Sequence, residues 1–271
     1  MLKFFKEHQP VGITGIVVHT VTWLLSDGKG GAEQNPKFVQ QWGVHPVGVF
    51  CVHGTADRPD AFKKISEALC EKELPSAIDY VRRVAFEGRF MGHSISDFAK
   101  ELLHQIIMKG YRRVILMGHS RGGLVCAWLA ENLAREHGIE VLQVISIGTP
   151  FGGSHLAMAP LSWYSASIEE MQADSEFLQA LNERIKASST TYSSYVAESD
   201  WIVLEGASHI EGRPESHAVA MSRHGHISIM TSEKIAELIK AELEALLPPG
   251  APEDEQGLYA KPLPDRGLPS P

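Results

Sequence analysis

From residue 47 onward the chain alternates short, almost wholly apolar runs with segments whose apolar residues recur at helical spacing. No other feature constrains the fold as much. Val47-Gly48-Val49-Phe50-Cys51-Val52, Ile78 to Phe86, Arg113-Val114-Ile115-Leu116-Met117 and Val141 to Ile147 read as strands. Between them, Phe62, Ile65 and Leu69 fall at helical spacing after Pro59. Ile95, Phe98, Leu102 and Ile106 mark a second helix that Gly110 ends, and Leu124 to Leu133 a third. Strands that are apolar on both faces must be covered on both faces. Separated by helices, they predict an α/β domain with a mostly parallel central sheet and helices on each side.

The rhythm breaks between Phe151 and Thr191, where helix signals occur without a strand. It resumes with strands at Tyr192 to Ala197 and near Ala218 to Met221. A last helix follows, with Ile235, Leu238, Ile239, Leu243 and Leu246 on one face after Ser232 as N-cap. The predicted organisation is therefore a domain over residues 45–247 with a helical cap inserted at about 151–191. Residues 248–271 are rich in proline and poor in apolar side chains, so they are expected to be disordered.

Residues 1–44 form a separate N-terminal segment. Its apolar stretch Val11 to Leu25 is interrupted by Gly12, Gly15, His19 and three threonines, and no small-x-small cleavage site follows. It is too short and too polar to span a bilayer. It is read as a strand or helix packed on the domain, with peripheral membrane contact as the alternative. Cys51, Cys70 and Cys126 cannot all pair and lie among apolar residues, so they read as small buried hydrophobes in a reducing, cytoplasmic setting, although nothing here excludes secretion. The net charge of −8 argues against nucleic acid as a partner and favours a neutral or apolar substrate.

The chemistry centres on Gly118-His119-Ser120-Arg121-Gly122, a G-x-S-x-G between the run Val114–Met117 and the helix opening near Leu124. A sharp strand-to-helix turn exposes the serine hydroxyl, and the flanking glycines leave room for the turn. A serine needs a base, and the base needs an orienting acid. Asp200, after the strand Tyr192–Ala197, is the preferred acid over Glu198 and Glu205. His226 is the preferred base, with His224 its nearest competitor and His209 and His217 less well placed. The remaining histidines, from His8 to His155, read as structural or surface residues. The pair His224-x-His226 has no third ligand at convincing spacing, so no metal or other cofactor is expected. Backbone N–H groups of Arg121 and of Thr55, the latter in His53-Gly54-Thr55, are the expected oxyanion donors.

These segments together resemble the α/β-hydrolase superfamily, and within it the bacterial lipase and esterase branch. Phe50 to Thr55 is similar to the oxyanion strand and Gly118 to Gly122 to the nucleophile elbow. Ile147-Gly148-Thr149-Pro150-Phe151-Gly152-Gly153-Ser154 resembles the lead into a lipase cap, and Met171 to Leu181 a cap pattern. Asp200-Trp201-Ile202-Val203 and Gly225-His226 complete the set. The resemblance covers roughly residues 45–247 and implies hydrolysis of small-molecule or lipid-like esters through an acyl-enzyme. Acyltransferase, thioesterase and amidase activities use the same triad, and a non-catalytic binding protein is the alternative from another class. The cap's apolar residues are the expected acyl site: Met158, Leu161, Trp163 and Phe177, with Tyr164, Ile168, Met171 and Leu178 beside them. The first 40 residues and the tail depart from the branch, and no calcium-site signature is present.

Overall fold

The computed structural model describes residues 13–55, 57–87, 92–154, 165–200, 202–203, 207–208, 210 and 217–248. Its strands are β1 (Gly31–Gln34), β2 (Val47–Val52), β3 (Ile78–Arg83), β4 (Arg113–His119), β5 (Glu140–Ile147), β6 (Thr191–Ala197) and β7 (His217–Met221). They form one sheet in the order β1-β3-β2-β4-β5-β6-β7. Every pairing is parallel except that of β1 with β3. The six parallel strands lie where the apolar runs predict them. The antiparallel edge strand β1 falls in the segment that the sequence reading left outside the domain.

The helices are α1 (Ile13–Leu25), α2 (Lys63–Glu71), α3 (Ile95–Met108), α4 (Arg121–Asn132), α5 (Ala166–Glu170), α6 (Glu176–Ala187) and α7 (Glu233–Leu246). Adjacent residues of β4 divide between two apolar layers because side chains alternate along a strand. Val114 and Leu116 pack under Phe98, Leu102, Leu124 and Leu181, from α3, α4 and α6. Ile115 and Met117 pack under Ile65, Leu69, Ile235 and Ile239, from α2 and α7. Burial of each such side chain stabilises the fold by about 1.5–3 kcal/mol. The three cysteines are free and buried, as expected.

Helix boundaries follow local chemistry. At the start of α3, Ser94 Oγ accepts the Asp97 N–H at 3.1 Å and the Asp97 carboxylate accepts the Ser94 N–H at 3.2 Å, closing a capping box. Gly110 lies just beyond α3 with φ +79°, a conformation that glycine adopts freely. Ser232 occupies the N-cap position of α7, but its side chain does not close the cap. The cap is anchored where Glu170 Oε2, at the end of α5, accepts the Ile95 N–H at 2.6 Å. The proline-rich tail from residue 249 lies outside the described residues.

Helix α1 settles on the domain and joins no strand of the sheet. It packs on two short 3-10 turns, Ser228–Thr231 and Pro59–Phe62. Ile16, Val17, Val21, Leu24 and Leu25 remain exposed on its outer side. No helix among the described residues is long and apolar enough to cross a membrane.

Helix α4 meets the sheet so closely that a Cβ placed on Gly122 would stand 2.1 Å from the Val52 carbonyl oxygen. Backbone cannot yield as a flexible side chain does. Gly122→Ala should therefore lower the unfolding free energy by about 1–3 kcal/mol or more. Urea denaturation midpoints check this, and a midpoint equal to wild type would show that α4 does not depend on the contact.

Candidate active site

Five loops meet at the carboxyl ends of the parallel strands, where open α/β sheets place their ligands. The central one is the turn from β4 into α4. Ser120 takes φ +54° and ψ −126°, a region that non-glycine residues rarely occupy. Such strain costs about 1–3 kcal/mol and persists only where the surroundings enforce it. Here the Ser120 N–H donates to the Ile147 carbonyl at 2.9 Å, and the Ser120 carbonyl accepts the Gly123 N–H at 3.0 Å. The turn lifts Ser120 into a cavity of about 420 Å³.

Asp200 and His226 come together beside it. His226 Nδ1 lies 2.7 Å from Asp200 Oδ2, and both side chains are almost fully buried. Asp200 Oδ1 accepts the N–H groups of Ile202 and Val203 at 2.9 and 2.8 Å. With the carboxyl oxygens accepting, Nδ1 is the donor and Nε2 is left as the acceptor. The loops that carry Asp200 and His226 are tied to each other, because the Ser199 N–H donates to the His224 carbonyl at 2.9 Å. Gly148, at the end of β5, passes close by: a Cβ there would stand 3.3 Å from His226 Nδ1. His226 and Ser120 both line the cavity.

His224 differs from the exposed residue that its sequence neighbours suggest. It is 4% exposed, and its Nδ1–H donates to the Ser222 carbonyl at 2.8 Å. The turn that brings its main chain back to Met221 and Ser199 draws the ring inward. It does not line the cavity.

Gly54 and Thr55 lie across from the serine. A Cβ on Gly54 would be 3.1 Å from Ser120 Cβ, a tight contact that the glycine avoids where this strand end approaches the serine. Thr55 lines the cavity, and Arg121 opens α4. The Arg121 side chain runs beneath the cap, with its guanidinium 4.1 Å over the Phe98 ring and a hydrogen bond of 3.3 Å to Ser167 Oγ. Burial draws its pKa down to about 10.

Of the residues expected to hold an acyl chain, Ile168 and Met171 line the cavity. Met158, Leu161, Trp163 and Tyr164 lie outside the described residues. Phe177 does not line the cavity. Its ring packs 5.7 Å from that of Trp128, because α6 turns its apolar face, with Leu178 and Leu181, into the core beside α4.

The sequence reading missed His19, Asp57 and His119, all at the cavity. It took His19 and His119 for scattered structural residues. Their signals were local: His119 stands inside the G-x-S-x-G, Asp57 two residues beyond Thr55, and His19 is the one titratable residue of an apolar stretch. His119 Nε2 donates to the His226 carbonyl at 3.0 Å, and the two rings lie 4.9 Å apart. Among the described residues no three His, Cys, Asp or Glu side chains gather in a way that could hold a metal ion.

Residues 22–163 match the family described as a domain of unknown function (DUF7379). No curated protein matches the chain. Among solved structures, the chain resembles a lipase of Bacillus licheniformis in its mature form, with a TM-score of 0.58 at 18% identity over 80% of this chain and 99% of that one. It also resembles an esterase of Thermogutta terrifontis, with a TM-score of 0.55 at 16% identity over 80% and 94%. A carboxylesterase structure from the thaumarchaeon Nitrososphaera gargenis matches with a TM-score of 0.55 at 12% identity over 82% and 97%. At these identities the likeness is one of fold, and the fold is that of the α/β-hydrolases.

Burial, reinforced by the neighbouring His226, pushes the His119 pKa down from 6.5 to about 3. Below pH 6.5 the unfolded chain therefore takes up a proton that the folded ring refuses. The stability this contributes is complete above pH 6.5 and declines as pH falls toward 3, by up to about 1.4 kcal/mol per pH unit. His119→Gln keeps a donor for the His226 carbonyl and should flatten that dependence by about one proton. Urea midpoints between pH 6.5 and 4 measure it, and an unchanged slope in the variant overturns the neutral, buried assignment.

Proposed function

The chain belongs to the DUF7379 family, and from that membership and its α/β-hydrolase fold we propose that it is a serine hydrolase of carboxylic esters, acting on lipid-like or other acyl esters through an acyl-enzyme. One observation carries the reading: Ser120, in its strained strand-to-helix turn, opens onto the same cavity as His226, whose ring is hydrogen-bonded to the buried Asp200. Ser120 Oγ attacks the ester carbonyl while His226 Nε2 takes its proton. Asp200 holds the ring in the tautomer that leaves Nε2 free and stabilises the imidazolium that forms. The backbone N–H groups of Thr55 and Arg121 receive the developing oxyanion. His226 then returns the proton to the departing alcohol, and water repeats the attack on the acyl-enzyme.

The cavity supports an uncharged acyl substrate. Trp23, Ile168, Met171, Ile202 and Ile227 give it apolar walls, with the polar groups gathered around Ser120. The exposed apolar flank of α1 offers a lipid-like substrate an apolar surface beside the same cavity.

A fluorophosphonate probe should label the wild-type protein at Ser120, and Ser120→Ala should abolish both labelling and ester turnover. Loss of a triad nucleophile costs several orders of magnitude, so residual hydrolysis within about tenfold of wild type overturns the assignment. Across a panel, aryl and glyceryl esters should turn over and peptides should not. Turnover of thioesters or peptides alone moves the activity to another bond.

The acid–base assignment has its own test in pre-steady-state acylation by an activated ester. His226→Ala should slow acylation by about 10³-fold or more, because it leaves Ser120 without a base. His224→Ala removes a buried ring and should lower the melting temperature, yet slow acylation by less than about tenfold. A larger loss in His224→Ala shifts the base by two residues.

A further inference from the structure

Beyond Ser120 and His226, the cavity holds a second group of polar side chains that this mechanism does not use. It joins α1 to the loop that carries Thr55. His19 Nε2, from α1, lies 3.2 Å from Asp57 Oδ2, and the two side chains are only 10% and 9% exposed. Burial alone would raise the Asp57 pKa, but the hydrogen bond with His19, together with the Arg58 N–H, holds it below the ordinary carboxylate value. The next residue is fastened to the same helix. The Arg58 guanidinium lies 4.3 Å over the Trp23 ring and donates to the Ser26 carbonyl just past the end of α1. The Arg58 N–H donates in turn to Asp57 Oδ1 at 2.8 Å.

These contacts bear on a short turn. The Asp57 N–H donates to the Gly54 carbonyl at 3.3 Å, so the chain is tied together on either side of Thr55. On one side Gly54 rests against Ser120. On the other, His19, Trp23 and Ser26 grip the two residues that leave the turn. Helix α1 packs on the 3-10 turn Pro59–Phe62, which continues this loop. It packs also on the 3-10 turn Ser228–Thr231, which follows His226. One helix thus braces the loops of the proposed oxyanion donor and of the proposed base.

We propose that α1 is a working part of the active site, and that His19 is a positioning residue which, through Asp57, fixes the turn aiming the Thr55 N–H at the oxyanion. The inference rests on the serine-hydrolase reading and adds a role for the N-terminal segment that the triad does not require. A helix that merely covered the cavity could touch it anywhere. This one spends its single titratable side chain on the oxyanion loop, while five apolar side chains stay exposed on its outer side.

The test uses the full chain, an activated aryl ester and a fluorophosphonate. Removing an oxyanion donor outright costs about 10²–10³ in kcat, and a loosened turn still presents its donor part of the time. His19→Ala should therefore lower kcat by about 10–100-fold and slow phosphonylation of Ser120 comparably. KM should change by less than about threefold, since the interaction lost is made chiefly in the transition state. The amide nitrogen of a glutamine reaches about as far as Nε2, so His19→Gln should recover most of the activity. Asp57→Asn, which keeps the shape and removes the charge, should lose at least about tenfold in kcat and serves also if His19→Ala does not fold.

Unchanged kcat in His19→Ala or Asp57→Asn overturns the proposal. So does a rise in KM alone, which would make α1 only a substrate wall, and so does a folded His19→Gln as impaired as His19→Ala. A wild-type protein that the fluorophosphonate does not label instead overturns the serine-hydrolase reading, and this inference with it.

Discussion

The backbone of Ser120 is the constraint on which the rest depends. Its left-handed φ is unfavourable by about 1–3 kcal/mol for a residue with a side chain, so the fold must supply contacts that outweigh that cost. It does so through the sheet itself. The Ser120 N–H is held by Ile147, the last residue of β5, and Gly122 lies against the carbonyl of Val52, the last residue of β2. Both neighbours of β4 therefore grip the turn. Their register makes this possible, with Val52 opposite Gly118 and His119 opposite Ile147. Parallel strands that end level with one another deliver their loops to one place. For that reason Gly54, Ser120 and Gly148 meet although nearly a hundred residues separate the first from the last.

The mechanism proposed for Ser120 puts a proton on His226, and the charge of its neighbours bears on that step. His119 lies against His226 and would oppose an imidazolium there if it were itself charged. Burial keeps it neutral, with a pKa near 3, and its donor nitrogen is occupied by the His226 carbonyl. A neutral ring can hold the loop of His226 without opposing the proton that the proposed mechanism puts there. Arg121 supplies the opposite case. Even with its pKa drawn down to about 10 it stays protonated at neutral pH, and it lies under the cap on the Phe98 ring. A cation on the residue after Ser120 favours negative charge at the serine, and the dipole of α4 acts in the same sense.

Much of this was legible in the sequence because its signals are local. Buried strands show as apolar runs, and the G-x-S-x-G shows as three residues at fixed spacing between a strand and a helix. Order along the chain put Asp200 and both His224 and His226 just beyond the last two strands, and it is the hydrogen bond between Asp200 and His226 that pairs those two side chains. What stayed hidden depends on contacts distant in sequence. The strand β1 is four residues, GAEQ, with no apolar run, and it exists because the edge of β3 offers it partners. Phe177 and Leu178 are adjacent in sequence, and spacing alone could not say that α6 faces the core rather than the cavity. His19 looked like an interruption in an apolar stretch. Its meaning appears only when Asp57 is beside it, 38 positions along the chain.

The division of the cavity between polar and apolar groups follows from which parts of the fold line it. Apart from His19 and Thr20 of α1, the polar residues that line the cavity come from segments at the strand ends, whose backbone must find hydrogen-bond partners and so carries polar residues with it. The walls come from α1, from the cap residues Ile168 and Met171, and from the loop residues Ile202 and Ile227. These segments are added to the sheet and are free to be apolar, because burying their side chains is what holds them in place. An acyl ester has the same division, a polar reacting carbonyl joined to an apolar chain. On the proposed function, the sheet sets where a substrate reacts, and the added segments set how much apolar chain it can carry. Of these, α1 alone also grips the loop of Thr55, so among the described residues it is where the wall and the reacting end of the site are mechanically joined.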